Sequence, residues 1–289
     1  MSKIIKPIII QDVTITNICA DKDIDPVTEK MIALAAKDAG ADYVEIGFPG
    51  PETRDVARAL EGRAAVYAGP LNSHIDCCGK AFFPERDIDH TLINIALDVG
   101  RFYTVKQCKT FEDVVKAASG HVERAKGYFR NVQFTIADAN VAKPEQLLEV
   151  AYAAINAGAN TICLAESPLD KSTDTKIYNM FANLKEGLKE RGVRSDEYVM
   201  ACHCHNNGFS AYSKTMEAIH GGATKIDATV NGIGRPEHLS LEEALKIAGE
   251  FARVKVTPTM EMAACQASGI VRVICGKPED KGRVETLYL

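Results

Sequence analysis

The chain alternates from end to end between short apolar, β-rich runs and amphipathic helical patterns, and nothing else in it constrains the fold so strongly. The β-rich runs are residues 7–14, 43–48, 65–69, 101–105, 132–136, 161–165, 198–203 and 225–230. Between them, apolar residues recur at helical spacing over 27–38, 88–97, 111–126, 144–156, 177–191 and 211–219. Several of these patterns end on glycine just before the next run: Gly40, Gly100, Gly158 and the pair Gly221-Gly222. Glycine there lets the chain leave a helix in the left-handed conformation. Eight β-then-α units predict a (β/α)8 TIM barrel over residues 1–254. The pattern breaks after Val254, and residues 255–289 read as a short C-terminal helical extension with a polar tail. A doubly wound open sheet is the competing architecture, but no G-x-G-x-x-G follows the first run.

A barrel carries its chemistry at the C-terminal ends of its strands. The seventh run ends in Cys202-His203-Cys204-His205-Asn206-Asn207-Gly208. Side chains alternate along a strand, so His203 and His205 share a face and can share one metal ion, while Cys202 and Cys204 face the other way into packing. The competing reading is two histidines bonding a loop backbone. Other strand ends add polar groups of the kind a site needs: Thr16 and Asn17, Glu45, Asn72 and His74, Asp138 and Asn140, Glu166, and Thr229. His90, His121 and His220 fall in helical or loop surroundings and read as surface residues.

Composition narrows the function classes. The net charge is −5 and no basic block stands out, so a nucleic-acid partner is not expected. No apolar run approaches the roughly 18 residues of a membrane span. The first residues, Met1 to Lys6, hold no long apolar signal core. Nine cysteines, an odd number with no C-x-x-C, fit reduced thiols in a cytoplasmic protein.

Three stretches taken together resemble the DRE-TIM metallolyase superfamily of isopropylmalate and homocitrate synthases, hydroxymethylglutaryl-CoA lyase and 4-hydroxy-2-oxovalerate aldolase. They are Gly40-Ala41-Asp42-Tyr43-Val44-Glu45-Ile46-Gly47-Phe48-Pro49, the His203 to Gly208 segment, and Ile226-Asp227-Ala228-Thr229-Val230-Asn231-Gly232-Ile233-Gly234. Ser240-Leu241-Glu242-Glu243 continues the likeness. The resemblance implies a divalent metal held by His203 and His205. The superfamily's other two ligands, an Asp at the end of strand 1 and an Asn after strand 8, correspond to Asn17 and His238. Its catalytic arginine corresponds to Thr16. The implied metal set is Asn17, His203, His205 and His238, which carries no ligand charge. It suits Zn, Mn, Fe or Co better than Mg.

The resemblance further implies catalytic positions at Glu45, as acid or base, at Thr16, and at His74 as a proton shuttle. It implies substrate contacts from Asn72, Asp138, Glu166 and Thr229. The implied reaction is a Claisen-type synthase joining an acyl-CoA thioester to a small α-keto acid. The alternatives are a lyase or aldolase acting on a hydroxy or keto acid, an altered reaction at a tris-histidine metal, and a non-catalytic barrel. A homodimer with residues 255–289 at the contact is expected on the same ground.

Overall fold

Helix α2 (Pro26–Ala39) shows how this sequence makes its units. Asp25 accepts hydrogen bonds from the Val27 and Thr28 amides, Pro26 opens the first turn, and Gly40 closes the helix at φ +116°. Strand β2 (Tyr43–Glu45) follows at once. The same logic repeats along the chain in a computed structural model. It describes residues 7–20, 22–47, 53–82, 91–99, 110–166, 172–207, 210–234, 237–252 and 256–275.

Strand β1 (Ile9–Asp12) leads into the short α1 (Thr14–Cys19) and then α2. After β2 come α3 (Thr53–Ala59), β3 (Ala64–Ala68), α4 (Asn72–Phe82), β4 (Leu92–Asp98) and α5 (Phe111–Lys126). Then follow β5 (Asn131–Ala137), α6 (Pro144–Asn156), β6 (Thr161–Ala165), α7 (Asp174–Glu190), β7 (Val199–His203) and α8 (Ala211–Gly221). The last units are β8 (Lys225–Ala228), α9 (Leu241–Ala252) and α10 (Pro258–Cys275). Among the described residues each strand pairs in parallel with the next, and β8 pairs back onto β1 from Ile9↔Lys225 to Asp12↔Ala228. The fold is therefore a closed (β/α)8 TIM barrel, as the alternation predicts.

Side-chain alternation splits the strands into two unlike faces. The outward set, including Ile10, Val44, Val66, Ile93, Phe134, Ile162, Cys202 and Ile226, is buried under the helices and forms the main apolar core. The inward set is largely polar. Gln11, Glu45, Asn94, Gln133, Thr135, Lys225 and Asp227 are all buried. Several bond across strands that are not neighbours, such as β8 to β5 and β2 to β4, and only the barrel interior lies between those.

Two sequence expectations change, and a third falls outside the described residues. Residues 88–97 read as helix, but Leu92–Asp98 is strand β4. A barrel strand buried on both faces shows a near-continuous apolar run, which periodicity cannot separate from a buried helix. The strand expected at 101–105 lies outside the described residues. His121, expected at the surface, is buried on α5, and burial holds its imidazole below the ordinary pKa. The extension takes the form of α10, which packs against α2 of the same chain, with Met260 beside Gly40.

Candidate metal centre

His203 is the last residue of β7 and His205 follows two residues later, at the C-terminal mouth of the barrel. The third histidine arrives by a different route. After β8 the chain makes a tight turn at Val230–Gly232 and returns, so that His238 pairs antiparallel with His205. The Asn206 amide donates to the Glu237 carbonyl at 2.7 Å and the His238 amide to the Gly232 carbonyl at 3.1 Å. Gly232 sits at φ +64°, and a Cβ there would meet the His238 carbonyl at 3.0 Å, so both the turn and the close approach call for glycine. Asn231, at φ +60°, is held from α10. Its amide donates to the Ser268 carbonyl at 3.2 Å and it accepts from the Ser268 hydroxyl at 2.6 Å.

The three imidazoles form a closed triangle. Ring centroids are 5.0 Å apart for His203–His205, 4.6 Å for His203–His238 and 4.5 Å for His205–His238. One ligand nitrogen from each lies within 4.8 Å of the other two. Histidine binds a metal as the neutral imidazole. His238 is driven far below its ordinary pKa, first by burial and then by the neighbouring His203 and His205. Three imidazole nitrogens converging from the end of β7 and from the segments after β7 and β8 would suit a borderline divalent ion.

Two buried groups brace this triangle. Asp227, on β8, lies 3.1 Å from His203 Nδ1. A carboxylate there fixes the ring so that Nε2 is presented as the ligand atom. Glu166, after β6, accepts the His205 amide at 3.1 Å. Both Glu166 oxygens also take the ammonium of Lys214, at 2.8 and 2.7 Å, and Lys214 reaches Asn207 at 2.5 Å. Lys214 is wholly buried on α8.

Glu45 ends β2 and is 2% exposed. Its Oε1 accepts from the Thr16 hydroxyl at 2.7 Å, and its Oε2 from the amides of Asn94 at 2.8 Å and Gln11 at 3.3 Å. Burial raises its pKa; the bonds from Asn94 and Thr16 pull the other way. Tyr67, on β3, adjoins Asn94 in register, and burial pushes its phenol up to about 12, which keeps it a neutral donor.

The structure thus gathers His203, His205 and His238, and separately joins Thr16 to Glu45. Asn17 lies on α1, where its amide nitrogen donates to the Val13 carbonyl at 2.9 Å. Asn72 is the exposed first residue of α4, and His74 lays its ring against Gly69 at the end of β3. Asp138 turns the chain after β5 at φ +54°. Thr229 is buried and donates to the Ile233 carbonyl at 2.8 Å. Gln11, Asn94, Gln133, Lys225 and Asp227 are polar groups of the interior that the sequence reading did not single out. Their signal was present, as polar residues at every second position of otherwise apolar strands.

Residues 17–269 match the HMGL-like family. The chain is 31% identical over 266 residues to a 2-isopropylmalate synthase of Haemophilus influenzae, covering 87% of this chain and 50% of that one. It spans about half the length of the curated relatives it matches. A hydroxymethylglutaryl-CoA lyase from Pseudomonas aeruginosa superimposes with a TM-score of 0.72 at 14% identity, covering 94% of each chain. An HMG-CoA lyase from Acinetobacter baumannii, solved with coenzyme A and 3-methylmalate, does so with a TM-score of 0.70 at 13% identity. It covers 100% of this chain and 99% of its own.

Proposed function

The chain belongs to the HMGL-like family, and from that premise we propose that it makes or breaks a carbon–carbon bond beside a carbonyl, at a divalent metal held by His203, His205 and His238. The histidine triangle at the barrel mouth is the observation that carries this reading. When bound, the ion would act as a Lewis acid on the oxygens of a small α-keto or hydroxy acid. An all-nitrogen set favours Zn, Mn, Fe or Co over Mg. Asn17 enters only through its Oδ1, since its nitrogen already serves the helix.

The chain's own residues supply the proton transfer. Glu45 Oε1 would take a proton from the carbon next to a thioester carbonyl, in the condensing direction. The carbanion equivalent then adds to the keto carbon of the acceptor, the alkoxide so formed takes up a proton, and water cleaves the thioester to a carboxylate and the free thiol. In the cleaving direction the same oxygen returns the proton, so one site serves both. Thr16 stands where the relatives' arginine is expected, and its hydroxyl is turned onto Glu45. A neutral hydroxyl cannot balance an enolate charge as a guanidinium does, which shifts that task toward the ion. The condensing direction, with an acyl-CoA donor, is favoured by the 31% identity to 2-isopropylmalate synthase.

Elemental analysis of the purified protein beside His203→Ala and His238→Ala tests the centre. About one Zn, Mn, Fe or Co per chain, lost in both variants, supports the reading. No metal in the wild type after reconstitution overturns it. Thiol release from acetyl-CoA with a panel of α-keto acids, compared with Glu45→Gln, then tests the chemistry. A decrease of about 10²–10⁴-fold is expected when the base is removed.

A further inference from the structure

Lys225 is a cation buried in the barrel interior, and the partners of its ammonium are two amide oxygens rather than a carboxylate. It donates to Gln11 Oε1 and to Gln133 Oε1, each at 2.6 Å. From these two residues the bonds run onward. Gln11 Nε2 donates to Glu45 Oε2 at 3.3 Å. Gln133 Nε2 donates to the Thr135 hydroxyl oxygen at 3.3 Å, Thr135 donates to Asn94 Oδ1 at 2.6 Å, and Asn94 Nδ2 donates to Glu45 Oε2 at 2.8 Å. The six side chains close a ring drawn from β8, β1, β2, β4 and β5.

Every bond in that ring runs donor to acceptor from Lys225 toward Glu45. An ammonium can only donate and an ionised carboxylate can only accept. These two ends therefore fix the orientation of both glutamines, the asparagine and the Thr135 hydroxyl. Bonds aligned head to tail polarise one another, more so in a low-dielectric interior. Other charged or titratable groups face Glu45 as well: His203 and Asp227 from β7 and β8, Tyr67 from β3 and Asp12 from β1. Gln11 and Asn94 both end on Glu45 Oε2.

We infer that Lys225 is a positioning residue for Glu45, acting through these two hydrogen-bonded arms. The short arm passes through Gln11 and the long arm through Gln133, Thr135 and Asn94. Both arms occupy Oε2, leaving Oε1, which accepts from the Thr16 hydroxyl, as the oxygen that exchanges protons. The base role of Glu45 rests on the function proposed above; the relay does not.

Side-chain amide NMR of the full-length protein, ¹⁵N-labelled, tests the relay without a substrate. Lys225→Met should shift the side-chain amides of Gln11 and of Asn94 in the same direction, although Lys225 touches only the first. Glu45→Gln, read from the opposite end, should shift the Gln133 amide, which Glu45 does not touch. Thr135→Val, close in volume, should weaken the Lys225→Met effect at Asn94, which then runs only through Gln11 and Glu45, and spare it at Gln11. If each variant perturbs only the residues it contacts, the relay is wrong and Lys225 is a packing residue. Should Lys225→Met fail to fold, Glu45→Gln still decides, because its distant shift at Gln133 is either present or absent. A failed relay with stoichiometric metal leaves the proposed function standing, and an intact relay without metal leaves the inference standing.

Discussion

Glu45 and Glu166 are both almost fully buried carboxylates at the mouth of one barrel, yet they are held in opposite ways. Glu166 is locked: both oxygens meet Lys214 directly, and one also takes the His205 amide. Glu45 has its cation one residue away on the short arm and three away on the long one, and its Oε1 accepts from the Thr16 hydroxyl. A direct ion pair neutralises a carboxylate and fixes a loop, but it removes the group from acid–base work. A relayed charge orients the carboxylate while leaving it able to take a proton. If Glu45 is the base proposed above, the fold separates support from chemistry with two residues of the same type.

That contrast breaks most visibly at Lys214. Lys214→Met strands Glu166 as an uncompensated buried charge, and a loss of about 3–5 kcal/mol is expected in denaturant unfolding. Metal affinity should fall with it, since His205 hangs from Glu166. A loss below about 1 kcal/mol would mean that Glu166 is not held as a buried ion pair.

Asp12 is a third buried carboxylate. Thr14 bonds it through its hydroxyl at 2.7 Å and its amide at 3.2 Å. Burial raises its pKa from 3.8 to about 7. The folded value lies above the unfolded one, so the folded state binds the proton more tightly. The stability this confers is full below pH 3.8 and is lost as pH rises through 7. The upper bound is about 4 kcal/mol, at 1.4 kcal/mol per unit. Asp12→Asn should therefore gain on the wild type steadily between pH 4 and pH 8 in denaturation midpoints. A constant gap across that range would show that Asp12 does not titrate in the folded state.

How much of this was legible in the sequence depends on which period carried it. The outward faces of most strands and the amphipathic helices gave a clear alternation, and the barrel followed from them. Strand β4 did not, because Leu92–Asp98 is buried on both sides and mimics a helix end. His203 and His205 stood out through the two-residue period of β7, whereas placing His238 needed the resemblance, since its loop has no period to count. The second carboxylate of the triangle, Asp227, was quoted within a motif and passed over as a functional group. The interior ring was missed for a physical reason. Gln11, Asn94, Gln133 and Lys225 look like tolerated polar residues one strand at a time. They become a network only when closure of the barrel sets β8 opposite β5.

Asp227 sharpens the contrast at intermediate size. It braces a proposed ligand, as Glu166 does, but through a ring nitrogen rather than a backbone amide. Asp227→Asn keeps the shape and weakens the hold on His203. Metal affinity, measured by chelator competition, should drop about 10–100-fold without abolishing binding. Unchanged affinity would separate His203 from the ion.

The smallest expected effect reaches the site from farthest away. Ser268, on α10, holds Asn231 through its hydroxyl and its carbonyl, and Asn231 sits in the left-handed region, where a non-glycine residue needs outside support. The turn it stabilises is the one that returns His238 to His205. Ser268→Ala removes the hydroxyl bond and keeps the carbonyl one, so about 1 kcal/mol is expected in global unfolding. The loop should feel it more than the fold does. His203 and His205 depend on β7 and not on α10, so the variant should release metal faster while an ion held by two histidines persists. A metal off-rate equal to that of the wild type would show that the β8 loop holds His238 without help from α10. The helix would then serve only to cover α2.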